Sequence, residues 1–165
     1  MTTLLTDTLE SPIGRLVLVC DAGRLCALDY ADSHKRMTRL LQRRYHRFRL
    51  CTASTPLGVT QQLRAYLGGK LDAIDSIQVD PGGTAFQQKV WETLRTIPPG
   101  TTRTYRDVAE QIGRPNAWRA VGRANALNPI SIVLPCHRLI GTNGALTGYA
   151  GGLERKHWLL RHEGA

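Results

Sequence analysis

The sequence predicts an α+β protein in two parts, on the strength of three observations. The first thirty residues contain β-rich runs separated by short turns, a pattern typical of antiparallel hairpins. Beyond Gly83 the apolar residues recur at helical spacing, with capping residues before them. Between these regions, residues 70–83 include Pro81-Gly82-Gly83 and are typical of a linker. We therefore predict two domains, residues 1–76 with a small antiparallel sheet and helices, and residues 77–165 with mainly helices.

The N-terminal part is expected to hold three strands followed by two helices. Turn-forming residues separate strands predicted at residues 2–9, 15–20 and 24–30. A helix follows, because five apolar residues recur at three- and four-residue spacing: Met37, Leu40, Leu41, Tyr45 and Phe48. Its other face is basic (Lys35, Arg36, Arg39, Arg43, Arg44 and Arg47) and fits either phosphate contacts or a solvated surface. A second helix, residues 58–67, should end at Gly68-Gly69.

In the C-terminal part the capping residues mark several helix starts. Thr84, with Gln87 three residues later, predicts a capping box. Thr104 can cap a short helix, and Asn116 can cap the next one, which should run to about Ala126. Two short helices joined by a turn with Gly113 form the helix-turn-helix pattern. A short strand, an Asn-Gly turn and a closing helix at residues 153–162 complete the chain.

The charge balance points to a polyanionic partner. Twenty-two Lys and Arg against thirteen Asp and Glu give a formal net charge of +9. Such an excess favours nucleic acid first and an anionic membrane second, although a merely soluble basic surface has the same composition. The N-terminus lacks the pattern of a signal peptide, and no apolar stretch is long enough to span a bilayer. We therefore predict a cytoplasmic protein that does not act in a membrane.

Of the four cysteines, Cys136 has the setting of a reactive thiol. A free thiol has a pKa of about 8.5, so a nucleophilic cysteine needs a nearby base or positive charge. His137 and Arg138 follow Cys136 directly, and Glu163 could orient the imidazole. A phosphatase-type Cys-x5-Arg motif is excluded by Thr142, and a dithiol motif by Leu139. On these residues alone, an inert buried cysteine beside a histidine stays an alternative.

A long set of motifs around Cys136 resembles one known family. They are Arg119-Ala120-Val121-Gly122, Ala124-Asn125, Asn128-Pro129, Pro135-Cys136-His137-Arg138, Ile140-Gly141, Gly148-Tyr149, Gly151-Gly152, Trp158-Leu159-Leu160 and His162-Glu163-Gly164. Phe86-Gln87, Val90-Trp91, Tyr105 and Ser11-Pro12-Ile13-Gly14 extend the match over nearly the whole chain. The sequence is similar to the O6-alkylguanine-DNA alkyltransferases, also called methylated-DNA–protein-cysteine methyltransferases. The resemblance implies a ribonuclease H-like N-terminal domain and a C-terminal domain with the helix-turn-helix and the active-site cysteine.

The resemblance also implies a chemical role for five residues. Cys136 would take an alkyl group from O6 of guanine, and less readily from O4 of thymine, and keep it permanently. His137 would deprotonate the thiol through a water, with Glu163 fixing the imidazole. Tyr105 would supply its hydroxyl to N3 of the flipped guanine, and Asn128 would shape the turn before the cysteine. No cofactor and no metal are expected.

The resemblance further implies that the partner is double-stranded DNA carrying alkylated bases. The protein would bind it in the minor groove as a monomer, and several monomers could bind cooperatively along the DNA. Arg119 would enter the duplex and fill the gap left by the flipped base. The same helix would also place Ala120, Gly122 and Arg123 against the DNA, and the helix before it would contribute Tyr105. The substrate pocket would be formed by Leu139, Tyr149, Ala150 and Asn128. The backbone carbonyls of Cys136 and Leu139 would bind the exocyclic amine.

Two positions depart from the usual pattern of the family. Trp118 stands where a small residue is common, and Arg123 replaces a small or apolar one. Both lie on the expected recognition helix, so they concern DNA binding rather than the reaction. Two other functions are alternatives to alkyl transfer. A protein that senses DNA lesions without chemistry would lack Cys136, and a cysteine hydrolase would need an oxyanion site that the sequence does not reveal.

Overall fold

The computed structural model describes residues 1–53 and 58–165, which fall into two units, Met1–Gly82 and Gly83–Ala165. The first unit contains a sheet with flanking helices, and the second is mainly helical. Within the described residues, no helix is both long and apolar enough to cross a membrane. The α+β class is confirmed.

The sheet of the first unit has four strands in the order β3-β2-β1-β4. They are β1 (Thr2–Leu9), β2 (Leu16–Asp21), β3 (Arg24–Tyr30) and β4 (Phe48–Thr52). The first three pair antiparallel, as short turns require, so that Thr6 lies opposite Val19 and Val17 opposite Asp29. The fourth strand runs parallel to β1, which makes the sheet mixed.

The expected helix through Phe48 is wrong at its C-terminal end. Helix α1 spans His34–Tyr45, and His46 then adopts a positive φ of 58°, which reverses the chain. Phe48 therefore opens β4 instead of extending the helix. Both Tyr45 and Phe48 still pack against the buried cluster of the first unit, which includes Met37. Of the five apolar residues in the predicted pattern, Met37 and Leu41 are buried and Tyr45 and Phe48 are partly buried, whereas Leu40 is not part of that cluster.

The residues after the second helix belong with the sheet of the first unit. Helix α2 spans Val59–Leu67, close to its predicted bounds. Further on, the amide of Leu25 donates to the carbonyl of Gln78, and the amide of Asp80 donates to the carbonyl of Leu25, both at 2.9 Å. Arg44 adds an ion pair to the Asp80 carboxylate at 2.6 Å. The predicted division into domains at residues 76 and 77 stays a prediction.

Four helices and two very short strands build the second unit. They are α3 (Ala85–Leu94), α4 (Tyr105–Gln111), α5 (Trp118–Ala126), α6 (Leu153–His162), β5 (Arg103–Thr104) and β6 (Leu139–Ile140). Thr84 and Thr104 form complete capping boxes, which confirms both predicted helix starts. The predicted cap at Asn116 is wrong, since the residue before α5 is Ala117 and no side chain caps that helix.

The helices of the second unit are fixed by a buried tryptophan. The indole N–H of Trp91 in α3 donates to the carbonyl of Ala124 in α5 at 2.9 Å. That bond satisfies the polar end of a side chain that is otherwise apolar and only 3% exposed. Helix α5, and with it the segment leading to Cys136, is therefore held at a defined place on α3.

We expect Gly83→Ala to destabilise the protein by about 3 kcal/mol, because an added Cβ would lie 2.7 Å from the Trp91 ring at a positive φ of 83°. Gly144→Ala is the matched control, since its φ of 78° is similar but nothing lies within 4 Å of the new Cβ. The control should lose only about 1 kcal/mol. Urea unfolding measures both, and equal losses would contradict a specific clash with Trp91.

Candidate active site

A strained turn leads into Cys136. Ile132 has a φ of 74°, which is unfavourable for a β-branched residue, and the amide of Val133 donates back to the carbonyl of Ser131 at 2.8 Å. Asn128 stabilises this turn from inside: its Nδ2 donates to the carbonyl of Leu134 at 2.7 Å, and its Oδ1 accepts from the amide of Ile130 at 2.9 Å. Because Asn128 is 1% exposed, these bonds form away from competing water.

Cys136 begins a short 3₁₀ helix, Cys136–Arg138, at the end of that turn. Its amide donates to the carbonyl of Leu134 at 2.7 Å, and its carbonyl accepts from Nδ2 of Asn125 at 3.3 Å. The residue is only 4% exposed, yet it borders a cavity. The backbone on both sides of the thiol is thus fixed by hydrogen bonds.

The Glu163 carboxylate joins the two residues that follow Cys136. Its Oε2 lies 2.9 Å from Nε2 of His137 and 2.8 Å from an Nη of Arg138, while its Oε1 accepts from Nε of Arg138 at 2.9 Å. Arg138 also donates to the carbonyl of Ile97 at 2.5 Å. His137 is 0% and Glu163 5% exposed, so this is a buried ion pair with its polar atoms largely satisfied.

The surroundings favour an ionised Glu163 beside a neutral His137. Burial alone would raise the pKa of Glu163, but hydrogen bonds and charge from His137 and Arg138 bring it well below its usual range. Burial lowers the pKa of His137, against the opposite influence of Glu163. A neutral imidazole that donates from Nε2 to the carboxylate keeps Nδ1 as an acceptor. Among the described residues, Nδ1 of His137 has no hydrogen-bond partner.

Lys156 is a buried cation that anchors the backbone near the cysteine. Its Nζ donates to the carbonyl of Leu139 at 2.5 Å and to that of Thr147 at 2.7 Å. The side chain is 0% exposed, and this burial lowers its pKa to about 8. Lys156 therefore ties the segment after Cys136 to the loop that precedes Tyr149.

A cavity of about 230 Å³ opens beside the thiol. Residues from four parts of the second unit line it, namely α4, α5, the 3₁₀ helix and the loop before α6: Tyr105, Gly122, Asn125, Ala126, Cys136, Gly148, Tyr149 and Ala150. The hydroxyl of Tyr105, one of these lining residues, lies 3.1 Å from Oγ1 of Thr147. Of the predicted pocket residues, Tyr149 and Ala150 border the cavity, whereas Leu139 and Asn128 are buried and are not among the described residues that line it.

The predicted DNA-contacting residues lie along α5. Arg119, Ala120 and Arg123 are exposed, whereas Gly122 is half-buried and approaches the Tyr105 ring, with 3.8 Å between an added Cβ and the ring. Helices α4 and α5 are joined by the turn at residues 112–117. This arrangement places basic side chains on the outside of the same helix whose inner face borders the cavity.

The cysteines of the first unit have a different environment. Cys20 and Cys26 are buried, and desolvation raises the pKa of the Cys20 thiol to about 11 and that of Cys26 to about 12. Both are poor nucleophiles at neutral pH. Among residues 1–53 and 58–165, no three His, Cys, Asp or Glu side chains gather in the manner of a metal site.

Two family models match the chain and together cover almost all of it. Residues 4–81 match the ribonuclease-like domain of 6-O-methylguanine DNA methyltransferase, and residues 85–165 match the DNA-binding domain of the same proteins. The chain belongs to the 6-O-methylguanine DNA methyltransferase family. The resemblance found in the sequence is thereby confirmed, including the ribonuclease-like character of the first domain.

Individual members of the family are similar over their full length. A methylated-DNA–protein-cysteine methyltransferase of Shigella flexneri is 50% identical over 99% of this chain and 98% of its own. One of Methanosarcina barkeri is 43% identical over 95% of both chains. The crystal structure of Mycobacterium tuberculosis OGT in complex with DNA has a TM-score of 0.80 and 42% identity, covering 99% of this chain and 93% of that one.

The structure also shows contacts at the site that the sequence did not predict, made by Arg138, Asn125 and Lys156. Arg138 shares Glu163 with His137, Asn125 holds the Cys136 carbonyl, and Lys156 holds the Leu139 carbonyl. Arg138 was visible within the Pro-Cys-His-Arg motif, but nothing in the local sequence indicates its partner. Lys156 gave no signal, because a lysine within a polar helix is ordinarily exposed.

We expect acid to unfold this protein through His137 and Glu163. Both have pKa values lowered in the folded state, from 6.5 and 4.5 respectively, so the unfolded chain binds more protons as the pH falls. The free energy of unfolding should decrease as the pH drops below about 6.5, and decrease further below about 4.5, by more than about 1 kcal/mol in total.

Urea unfolding across this pH range measures the effect, with Glu163→Gln for comparison. The variant should lose about 3 kcal/mol at neutral pH, because Arg138 is left buried without its carboxylate. Below pH 4.5 its stability should then fall less steeply than that of the wild type. Parallel pH profiles for the two proteins would show that Glu163 does not carry the acid sensitivity.

Proposed function

We propose that this protein repairs DNA by transferring the alkyl group of O6-alkylguanine in duplex DNA to Cys136, in one irreversible turnover per molecule. The observation that carries the proposal is the placement of Cys136 at a cavity, directly before a buried His–Glu pair. The named relatives, and the DNA complex of a member 42% identical, support it. A lesion sensor without chemistry would not need this nucleophile, and the alkyl acceptor is therefore preferred.

The thiol would be activated by the neutral imidazole. His137 donates from Nε2 to Glu163, so its Nδ1 is the basic atom and can take the Cys136 proton through a bridging water. The imidazolium formed in this step lies beside the Glu163 carboxylate, which stabilises its charge. Together with His137, Arg138 keeps that carboxylate ionised, and so supports the base.

In the transfer step the thiolate sulfur attacks the alkyl carbon while the bond from that carbon to O6 breaks. The electron pair of the broken bond remains on O6 of the leaving guanine, whose negative charge a hydrogen bond stabilises and a transferred proton neutralises. Tyr105 borders the cavity and can donate its hydroxyl to N3, while the amide of Ala150 can meet O6. The carbonyls of Cys136 and Leu139 would accept hydrogen bonds from the exocyclic amine of the guanine. Tyr149 would border the bound base, and Asn128 would hold the turn before Cys136 in place.

The target atom lies inside the base stack, so the nucleotide must be flipped out of the duplex at a cost of a few kcal/mol. We propose that Arg119 fills the space that the base leaves, while Ala120, Gly122 and Arg123 of the same helix lie along the minor groove. A net charge of +9 offsets the cost through phosphate contacts that do not depend on sequence. The protein would act in the cytoplasm as a monomer, without a cofactor or metal. It would also repair O4-alkylthymine, but less readily than O6-alkylguanine.

Incubation with a duplex containing one O6-methylguanine should add one methylene equivalent to the peptide containing Cys136. Cys136→Ser should show no such gain yet still bind DNA, because the phosphate contacts do not involve the thiol. Cys51→Ser is the matched control and should be methylated at Cys136 like the wild type, since Cys51 lies in β4. Mass spectrometry of the digested protein decides this, and a wild type that gains no mass while the DNA stays methylated would refute the proposal.

Tyr105→Phe should slow the transfer step by roughly tenfold to a hundredfold, since the leaving guanine loses a hydroxyl donor. Rapid quenching with protein in excess measures the limiting rate. Thr147→Val is the control: it removes the partner of the Tyr105 hydroxyl but leaves that donor in place, and its limiting rate should stay within about twofold of the wild type. A Tyr105→Phe rate equal to that of the control would exclude a role for the hydroxyl.

A further inference from the structure

Trp118, the first residue of α5, contacts guanidinium groups from both helices of the helix-turn-helix. The guanidinium carbon of Arg106 in α4 lies 4.7 Å from the centre of the indole ring. That of Arg119, the next residue in α5, lies 4.9 Å from it. Both distances are within the range in which a cation is attracted to the face of an aromatic ring, and tryptophan gives the strongest such attraction. The Arg106 contact therefore links α4 to α5, while the Arg119 contact lies within α5.

Both of these cations remain available to an anion. Arg106 and Arg119 are exposed, and within the described part of the chain neither has a carboxylate at ion-pair distance. Some arginines elsewhere in the protein are neutralised by carboxylates, for example Arg36 by Asp29, Arg44 by Asp80, and Arg138 by Glu163. A stack that holds two guanidinium groups together without neutralising either is arranged for a polyanion.

We propose that Trp118 is a positioning residue for DNA, holding Arg106 and Arg119 in one arrangement before the duplex arrives. This inference rests on the proposed function, in which Arg119 enters the duplex. Arg106, held on the same indole, then binds a backbone phosphate beside the lesion. Trp118 itself touches neither the substrate base nor the thiol, since it is absent from the described residues that line the cavity.

The physical basis is the conformational freedom of arginine. Its long side chain has many rotamers, and ordering it at an interface opposes binding. Stacking on a ring in the free protein removes part of that freedom beforehand, so less is lost when DNA binds. The effect should therefore appear in the affinity for DNA and leave the chemical step unchanged.

The test combines single-turnover methyl transfer with binding to an unmodified duplex. Trp118→Ala should raise the half-saturating protein concentration about tenfold, equivalent to about 1.4 kcal/mol, with the limiting rate within about twofold of the wild type. When the logarithm of its DNA-binding constant is plotted against the logarithm of the salt concentration, Trp118→Ala should have the slope of the wild type, because no cation that binds phosphate is lost. Arg106→Gln should reduce that slope by about one.

Two further variants separate positioning from a general loss of structure or charge. Trp118→Phe keeps an aromatic face and should lose only about threefold in affinity. Arg161→Gln removes one exposed charge from α6 and should keep the wild-type slope. Circular dichroism melting verifies that all variants fold.

Several outcomes would overturn the proposal: wild-type affinity in Trp118→Ala, an equal loss in Trp118→Phe and Trp118→Ala, a fall in the limiting rate alone, or equal slopes for Arg106→Gln and Arg161→Gln. The binding measurements use undamaged DNA, so they decide the role of Trp118 independently of alkyl transfer. Failure of the proposed function would instead appear as a wild type that binds the duplex and never methylates Cys136.

Discussion

Glu163 lies just after the last helix, and both of its carboxylate oxygens bond to side chains that follow Cys136 in the sequence. Burying a carboxylate is unfavourable unless opposite charge and hydrogen bonds surround it, and removing one partner of such a pair commonly costs about 3–5 kcal/mol. The end of α6 is therefore bound to the 3₁₀ helix of the nucleophile. The same contact determines which nitrogen of His137 carries the proton, so the stability of the unit and the basicity of its histidine have a common origin.

Three further side chains hold the backbone near Cys136 in place. Asn128 supports the turn in which Ile132 has an unfavourable φ, Asn125 holds the Cys136 carbonyl, and Lys156 holds the carbonyls of Leu139 and Thr147. A strained segment keeps its shape only when several independent contacts determine it. A carbonyl oxygen has two lone pairs, so those of Cys136 and Leu139 can each accept a further hydrogen bond from a bound base. The cavity is thus shaped in advance by buried polar groups.

Chemistry and binding are assigned to opposite faces of α5. Its inner face meets α3 through the Trp91–Ala124 bond and borders the cavity through Gly122 and Asn125. Its outer face carries the exposed Arg119 and Arg123, and Arg119 stacks on the Trp118 ring together with Arg106 of α4. In the proposed function, one short helix therefore serves both the DNA contact and the cavity beside Cys136.

The sequence by itself determined the features that depend on neighbouring residues. Alternation and turns gave β1 to β3, the capping boxes at Thr84 and Thr104 located α3 and α4, and the motif around Cys136 identified the family. These features could be predicted because hydrogen bonds to nearby backbone and the periodicity of a helix or strand are local. The prediction failed where the neighbouring residues were compatible with two local structures, as at Phe48, which begins a strand and not the end of a helix, and at Asn116, which does not cap α5.

Only the tertiary structure decided that Phe48 pairs in parallel with β1, that Arg138 shares Glu163 with His137, and that Lys156 is buried with its amine on two carbonyls. Each of these depends on residues distant in the chain, whose approach is set by the packing of the whole unit and not by the residues beside them.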